Sequence, residues 1–163
     1  TGDILMVEKV PIGPEETSGE LFDRVAAIGA KTLVRAVALL DEGKLAPQKQ
    51  DDSQATQAPM LKKEMARFAF DQPAAALHDL IRGMNPWPVA FFEYGGKKVK
   101  VLASRTAENP SGAPAGAVLA TKPLTIACAD GALQLLQVTP EGGKPMDGTA
   151  WAAGRRLKAG DSL

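Results

Sequence analysis

The chain has 163 residues, 19 Lys and Arg against 19 Asp and Glu, one Cys and a hydrophobic fraction of 45%. That apolar content is enough for a core. The lone Cys128 excludes an internal disulfide and a cysteine metal cluster, and fits a reducing, cytoplasmic setting. No window reaches the apolar length of a membrane helix and the N-terminal region is acidic, so neither a membrane partner nor a signal sequence is expected.

The zero net charge hides an asymmetry. Residues 1–58 hold 6 Lys and Arg against 10 Asp and Glu, a balance of −4, while residues 59–163 hold 13 against 9, a balance of +4. Such a split reads either as ordinary surface variation or as two units with different partners, the basic one facing nucleic acid.

In chain order, Ile4–Val10 reads as a strand ended by Pro11 and Gly13-Pro14. Thr17 with Glu20 forms a capping box. Leu21, Phe22, Val25, Ile28, Leu33, Val37 and Leu40 then mark one side of a long amphipathic helix that Gly43 stops. A strand and a helix are half of an α/β unit and need a sheet to cover. The stripe is therefore expected to pack on another copy, on a partner's sheet or on the β region downstream. Residues 44–58 lack apolar periodicity and read as a linker. A second helix is expected from an N-cap at Asp71 and Pro73 in the first turn, with Leu77, Leu80, Ile81 and Met84 on its apolar face.

Asn85-Pro86-Trp87-Pro88 then makes a stiff corner, with the Trp87 ring expected between helix and β region. A hairpin follows, Val89–Tyr94 and Lys97–Ala103 across Gly95-Gly96. Glu108–Ala115 reads as a loop, and strands are expected at Gly116–Thr121, Leu124–Ala129 and Ala132–Thr139, with a turn at Asp130-Gly131. Asp147 is placed to cap a short last helix through Trp151. Five strands at this spacing predict a small sandwich or barrel.

Among reactive residues, His78 has no nucleophile beside it in sequence, and Cys128 lies in an apolar strand, so both read as structural. No Walker loop, dinucleotide fingerprint or metal-ligand spacing occurs. The remaining candidates are cations able to neutralise phosphates: Lys62, Lys63, Arg67, Arg82, Lys97, Lys98, Lys100, Arg155, Arg156 and Lys158. Lys98 and Lys100 alternate with Val99 and Val101, which predicts lysines on one face of their strand and valines in the core.

The run IRGMNPWPVAFFEYGGKKVKV, with TGDIL, VPIGPEETSGELFDRVAAIGA, APMLKKEMARFAFD, GAVLA, DGALQLLQVTPEGGKPM and GRRLKAGD in order around it, resembles the C-terminal part of the methionyl-tRNA formyltransferases. Sugar-nucleotide formyltransferases carry a related corner with Asp in place of Asn85. The resemblance implies an α+β chain. Residues 1–43 would be the last strand and helix of a Rossmann-like catalytic domain, 44–58 the linker, and 59–163 an OB-like, tRNA-binding barrel preceded by a helix. It implies transfer of a formyl group from the co-substrate 10-formyltetrahydrofolate to methionine on initiator methionyl-tRNA. The catalytic Asn, His and Asp would lie upstream, the Asp just before Thr1, and Asp3 would match only the second acid of its segment. By this resemblance the chain alone is inactive, holds no cofactor and holds the tRNA; the ten cations are its candidate contacts, and each taken singly also reads as solvated surface. No metal is expected. Self-association through the N-terminal strand and helix is left open. A sugar-nucleotide formyltransferase and a free-standing RNA-binding module are the alternatives.

Overall fold

The computed structural model describes residues 2–163, so the residue Thr1 beside the implied catalytic Asp lies outside it. The chain divides into two compact units, Thr1–Met60 and Leu61–Leu163.

The first unit is built on helix α1 (Ser18–Asp41). Its start is the expected capping box. The Glu20 N–H donates to Thr17 Oγ1 (3.3 Å), and the Thr17 N–H donates to Glu20 Oε2 (2.9 Å). The Thr17 N–H bond foremost, and a second from the Thr17 hydroxyl to Glu20 Oε2 (2.8 Å), hold the Glu20 carboxyl below its ordinary range. The helix ends on Gly43 at φ 67°, with Lys44 N–H bonded to the Leu39 carbonyl and Gly43 N–H to that of Leu40, a Schellman closure.

One expectation fails in this unit. Ile4–Val10 is not a strand: only Ile4 pairs, through two backbone bonds with Gln48 (2.8 and 2.9 Å). A strand needs a neighbour for its N–H and C=O groups, and the described residues supply one for Ile4 alone. The apolar stripe of α1 is also largely open. No residue of the helix is buried, and Val25, Leu33, Val37 and Leu40 are 45–65% exposed. The segment Leu5–Val10 runs along the helix beside Val25, Ile28 and Leu33 without closing over them.

The second unit is a curled antiparallel sheet with two helices. Its elements are α2 (Ala74–Gly83), β1 (Phe91–Tyr94), β2 (Lys97–Ala107), β3 (Val118–Thr121), β4 (Leu124–Ala127), β5 (Ala132–Pro140), β6 (Met146–Asp147) and α3 (Gly148–Gly154). The strand order is β1-β2-β5-β4-β3, with β6 paired to β5. The hairpin, the turn at Asp130-Gly131 and the strand types agree with the sequence reading. Gly95 and Gly96 both have positive φ (56° and 73°), the geometry a two-residue hairpin of this twist requires. The added β6 is only two residues long, too short for a periodic signal.

Asp71 does not cap α2. Pro73 takes the N-cap position, and the orphan Ala74 N–H is satisfied by the Asp130 carbonyl at 2.9 Å. Residues 70–74 are thus bonded to the β4–β5 turn, whose Ala129 N–H donates to the carbonyls of Phe70 and Gln72. Asp147 does cap α3, accepting from Thr149 and Ala150 N–H.

The core joins Leu77 and Ile81 of α2 to Val99 and Val101, Leu124 and Ile126, and Leu133, Leu135 and Val138 of the sheet. Its aromatic portion is Phe68, Phe70, Phe92 and Trp151, with edge-to-face ring pairs at 5.3–5.9 Å, and Tyr94 against Trp151 at 5.5 Å. The buried tryptophan of this core is Trp151. Trp87 is 54% exposed, and the buried residue of its corner is Pro88.

Gly148 sits where a Cβ would run into the Leu135 carbonyl oxygen of β5, whereas a Cβ at Gly154 would meet open space. Gly148→Ala is expected to cost about 3 kcal/mol or more, the upper end of overpacking costs. Gly154→Ala should be neutral or stabilising by a few tenths up to about 1 kcal/mol. Urea midpoints of the two variants check this, and an unshifted midpoint for Gly148→Ala would disprove the close approach of α3 to β5.

Candidate nucleic-acid interface

The β1–β2 hairpin positions the central cations. Lys98 lies opposite Glu93 and Lys100 opposite Phe91 across the ladder, so these four side chains share the outer face. Val99 and Val101 are buried on the inner face, as the alternation predicts. The Lys98 ammonium stands 4.8 Å from the centre of the Phe91 ring. Arg67 joins the same face: Phe68 N–H bonds to the Phe91 carbonyl (2.9 Å), and the Arg67 guanidinium lies 3.2 Å from Glu93 Oε2. Lys62 and Lys63 are exposed at the start of the 3-10 turn Lys63–Ala66 that leads into Arg67. Lys97 is exposed beside the hairpin turn.

A second group sits on the C-terminal cap of α3. Leu157 N–H bonds to Ala152 O (3.0 Å) and Arg156 N–H to Ala153 O (3.0 Å), the same Schellman closure that ends α1. Here Arg156, not Gly, holds the left-handed position at φ 57°. Arg155, Arg156 and Lys158 are exposed around it and complement the negative end of the helix dipole.

Arg82 joins neither group. It is half-buried in the last turn of α2, with Nε 2.8 Å from Asp79 Oδ1. The structure also supplies residues that the sequence reading left out. Glu93 tempers the hairpin cations, and Glu141 accepts from the Lys98 backbone N–H at 3.0 Å. Arg105 adds an exposed cation on β2. Ordering these required the strand register, which the alternation pattern does not give.

The corner after α2 is braced by a polar bond. In the β2–β5 ladder Val101 pairs with Val138 and Ala103 with Gln137, which leaves Leu102 unpaired at a bulge. Its carbonyl accepts from Asn85 Nδ2 at 2.9 Å. Val89 N–H bonds to the Met84 carbonyl (2.9 Å), closing the corner, with Val89 itself at φ 69°.

His78 Nδ1 lies 3.0 Å from Ser104 Oγ, and both residues are buried. The pair holds α2 on β2 with no substrate access, so the structural reading of His78 stands. The Cys128 thiol is 3% exposed, its Sγ 3.8 Å from the Ile126 carbonyl. Burial pushes its pKa up to about 11. Among the described residues no group of three or more side chains could hold a metal, and no helix is long and apolar enough to cross a membrane.

Residues 60–156 match the family described as formyl transferase, C-terminal domain, and the chain belongs to that family. Its relatives include methionyl-tRNA formyltransferases from Solibacter usitatus (45% identical, covering 100% of this chain and 52% of that protein) and Lachnospira eligens (43%, covering 100% and 54%). The chain therefore spans about half the length of these curated relatives. Among solved structures it is similar to HypX from Aquifex aeolicus in complex with tetrahydrofolic acid, with a TM-score of 0.64 at 17% identity over 99% of this chain and 29% of that one. A variant of the same protein gives 0.65 over 93% of this chain and 28% of that one. At this identity the likeness is one of fold.

Asn85→Asp replaces the donor to Leu102 by an acceptor, so carboxylate faces carbonyl. We expect a loss of about 1–3 kcal/mol in unfolding free energy near neutral pH. Equal stability of the variant in urea would show that the bulge does not depend on this bond.

Cys128 gives a pH prediction. The fold favours the neutral thiol, so its contribution is fully present below the ordinary value of 9.0 and is lost as pH rises toward about 11. The native chain should resist a thiol reagent at pH 7 and react at once in denaturant. Rapid native labelling would contradict a buried Cys128.

Proposed function

We propose that this chain is the C-terminal part of a methionyl-tRNA formyltransferase, and that its second unit holds the tRNA. The observation that carries the reading is the run of relatives of that name matched along the whole chain. The outer face of the hairpin, where Lys98, Lys100 and Arg67 gather, supports it with a surface suited to phosphates. The parent would transfer a formyl group from 10-formyltetrahydrofolate to the amino group of methionine on initiator tRNA. The attacking amine and the formyl carbon would meet on residues outside this chain, so the 163 residues alone should not turn over. In this reading α1 is the last helix of a Rossmann-like domain. Its open stripe would lie on a sheet this chain does not contain, or on a second copy when the chain is alone. The curled sheet of the second unit would be an OB-like barrel, and the setting cytoplasmic.

The test is a titration of initiator tRNA at several salt concentrations, using a protein extended to the length of the curated relatives. Affinity should fall as salt rises, because each neutralised phosphate releases counterions. Lys98→Ala with Lys100→Ala should flatten the logarithmic salt slope by about one unit for each phosphate left without its lysine. The fold should survive, since both side chains are exposed. Arg156→Gly is the matching variant at the second group, because glycine relieves the left-handed backbone while removing a cation. An unchanged slope with all three replaced would remove both groups from the interface.

A further inference from the structure

The corner between α2 and β1 presents a large aromatic side chain that neither the core nor the basic groups use. Trp87 is 54% exposed, yet its backbone is among the most constrained in the chain. Prolines flank it on both sides, at 86 and 88. Asn85 is fastened to the Leu102 carbonyl at 2.9 Å, and Val89 N–H closes the corner on Met84. Val89 is held at φ 69°, an outlying conformation for a β-branched residue. Strain of this kind persists only where surrounding structure over-determines it, and it gathers at binding sites. Two cations lie on β2 near the carbonyl that fastens Asn85. Lys100 and Arg105 lie two and three residues from Leu102 on β2, within about 10 Å along the strand. Both are exposed, and neither forms an ion pair among the described residues.

We infer that Trp87 is a stacking platform for an unpaired base of the bound RNA, with Lys100 and Arg105 on the flanking phosphates. The inference rests on the RNA-binding reading above and adds to it a contact with a base where the cations contact only backbone. A rigid, exposed indole suits this use: every base has a π-face, and a ring already fixed in place loses little conformational freedom on stacking.

Fluorescence tests it, in a protein extended to the length of the curated relatives. Within this chain Trp151 is buried, so the emission of Trp87 is read as the acrylamide-accessible emission that Trp87→Phe removes. The expected result is that initiator tRNA, or an unstructured oligoribonucleotide, quenches that emission and shields it from acrylamide. Inorganic polyphosphate, which has charge but no bases, should do neither. Trp87→Ala should weaken RNA binding about tenfold and Trp87→Phe less, the order expected for stacking. Should Trp87→Ala not fold, the quenching comparison and Trp87→Phe decide alone. Salt-dependent RNA binding without a change in Trp87 emission would overturn the stacking site and leave the RNA reading standing. Absence of RNA binding by the unsubstituted protein would overturn both. Emission already shielded from acrylamide before RNA is added would place Trp87 against protein and overturn the platform.

Discussion

The second unit depends on the bulge at Leu102. Strand β2 is the only strand in the β1-β2-β5-β4-β3 path that joins the hairpin to the rest of the sheet. Its ladder with β5 skips Leu102 on one strand and Leu136 on the other. A bulge bends its strand and increases the local twist, and here it separates two parts of β2 with different tasks. Before it, Lys98 and Lys100 face outward over buried valines. After it, Ser104 faces inward to His78. The bend exposes a carbonyl that an ordinary ladder would pair, and Asn85 supplies the donor. One amide therefore couples the shape of the sheet to the course of the corner that leaves α2.

The charges on the outer face contribute little to stability. Arg67 with Glu93 is an exposed pair, of a kind worth about 1 kcal/mol or less. Its acid also sits opposite Lys98, so Glu93 keeps two cations near each other without burying either. Such an arrangement lowers the mutual repulsion of the cations and leaves both exposed. The Lys98 ammonium over Phe91 does the same with a ring in place of a carboxylate.

The parts of this fold legible in the sequence are those decided by neighbours along the chain. Thr17 with Glu20, Gly95-Gly96, Asp147 and the alternation at residues 98–101 each fix a local geometry through bonds or sterics within a few residues. The basic candidates were legible as residue types, but their grouping was not. It depends on pairing between Phe91 and Lys100 and between Phe68 and Phe91. The misreadings share that cause. Asp71 is a good cap by type, but the β4–β5 turn satisfies Ala74 from a distant part of the chain. Trp87 is a good core residue by type, but Trp151 with Phe92 and Tyr94 holds the aromatic interior. Ile4–Val10 has the composition of a strand, and among the described residues only Ile4 finds a neighbour to pair with.

The same reasoning gives the first unit its meaning. The capping box and the Gly43 closure make α1 well defined at both ends, so the helix forms for reasons of its own sequence. Its apolar side is nevertheless 45–65% exposed at Val25, Leu33, Val37 and Leu40. Covering apolar surface is favourable by about 25 cal/mol per Å², and a stripe of this length left open favours association. Local signals thus specify the helix completely, while its burial requires a surface that the segment Leu5–Val10 does not provide. The second unit differs, because its core closes among its own residues, with Leu77, Ile81, Leu133 and Val138 at 1% exposure or less. Stability in this chain should therefore be concentrated after Leu61, and the behaviour of α1 should follow whatever covers it.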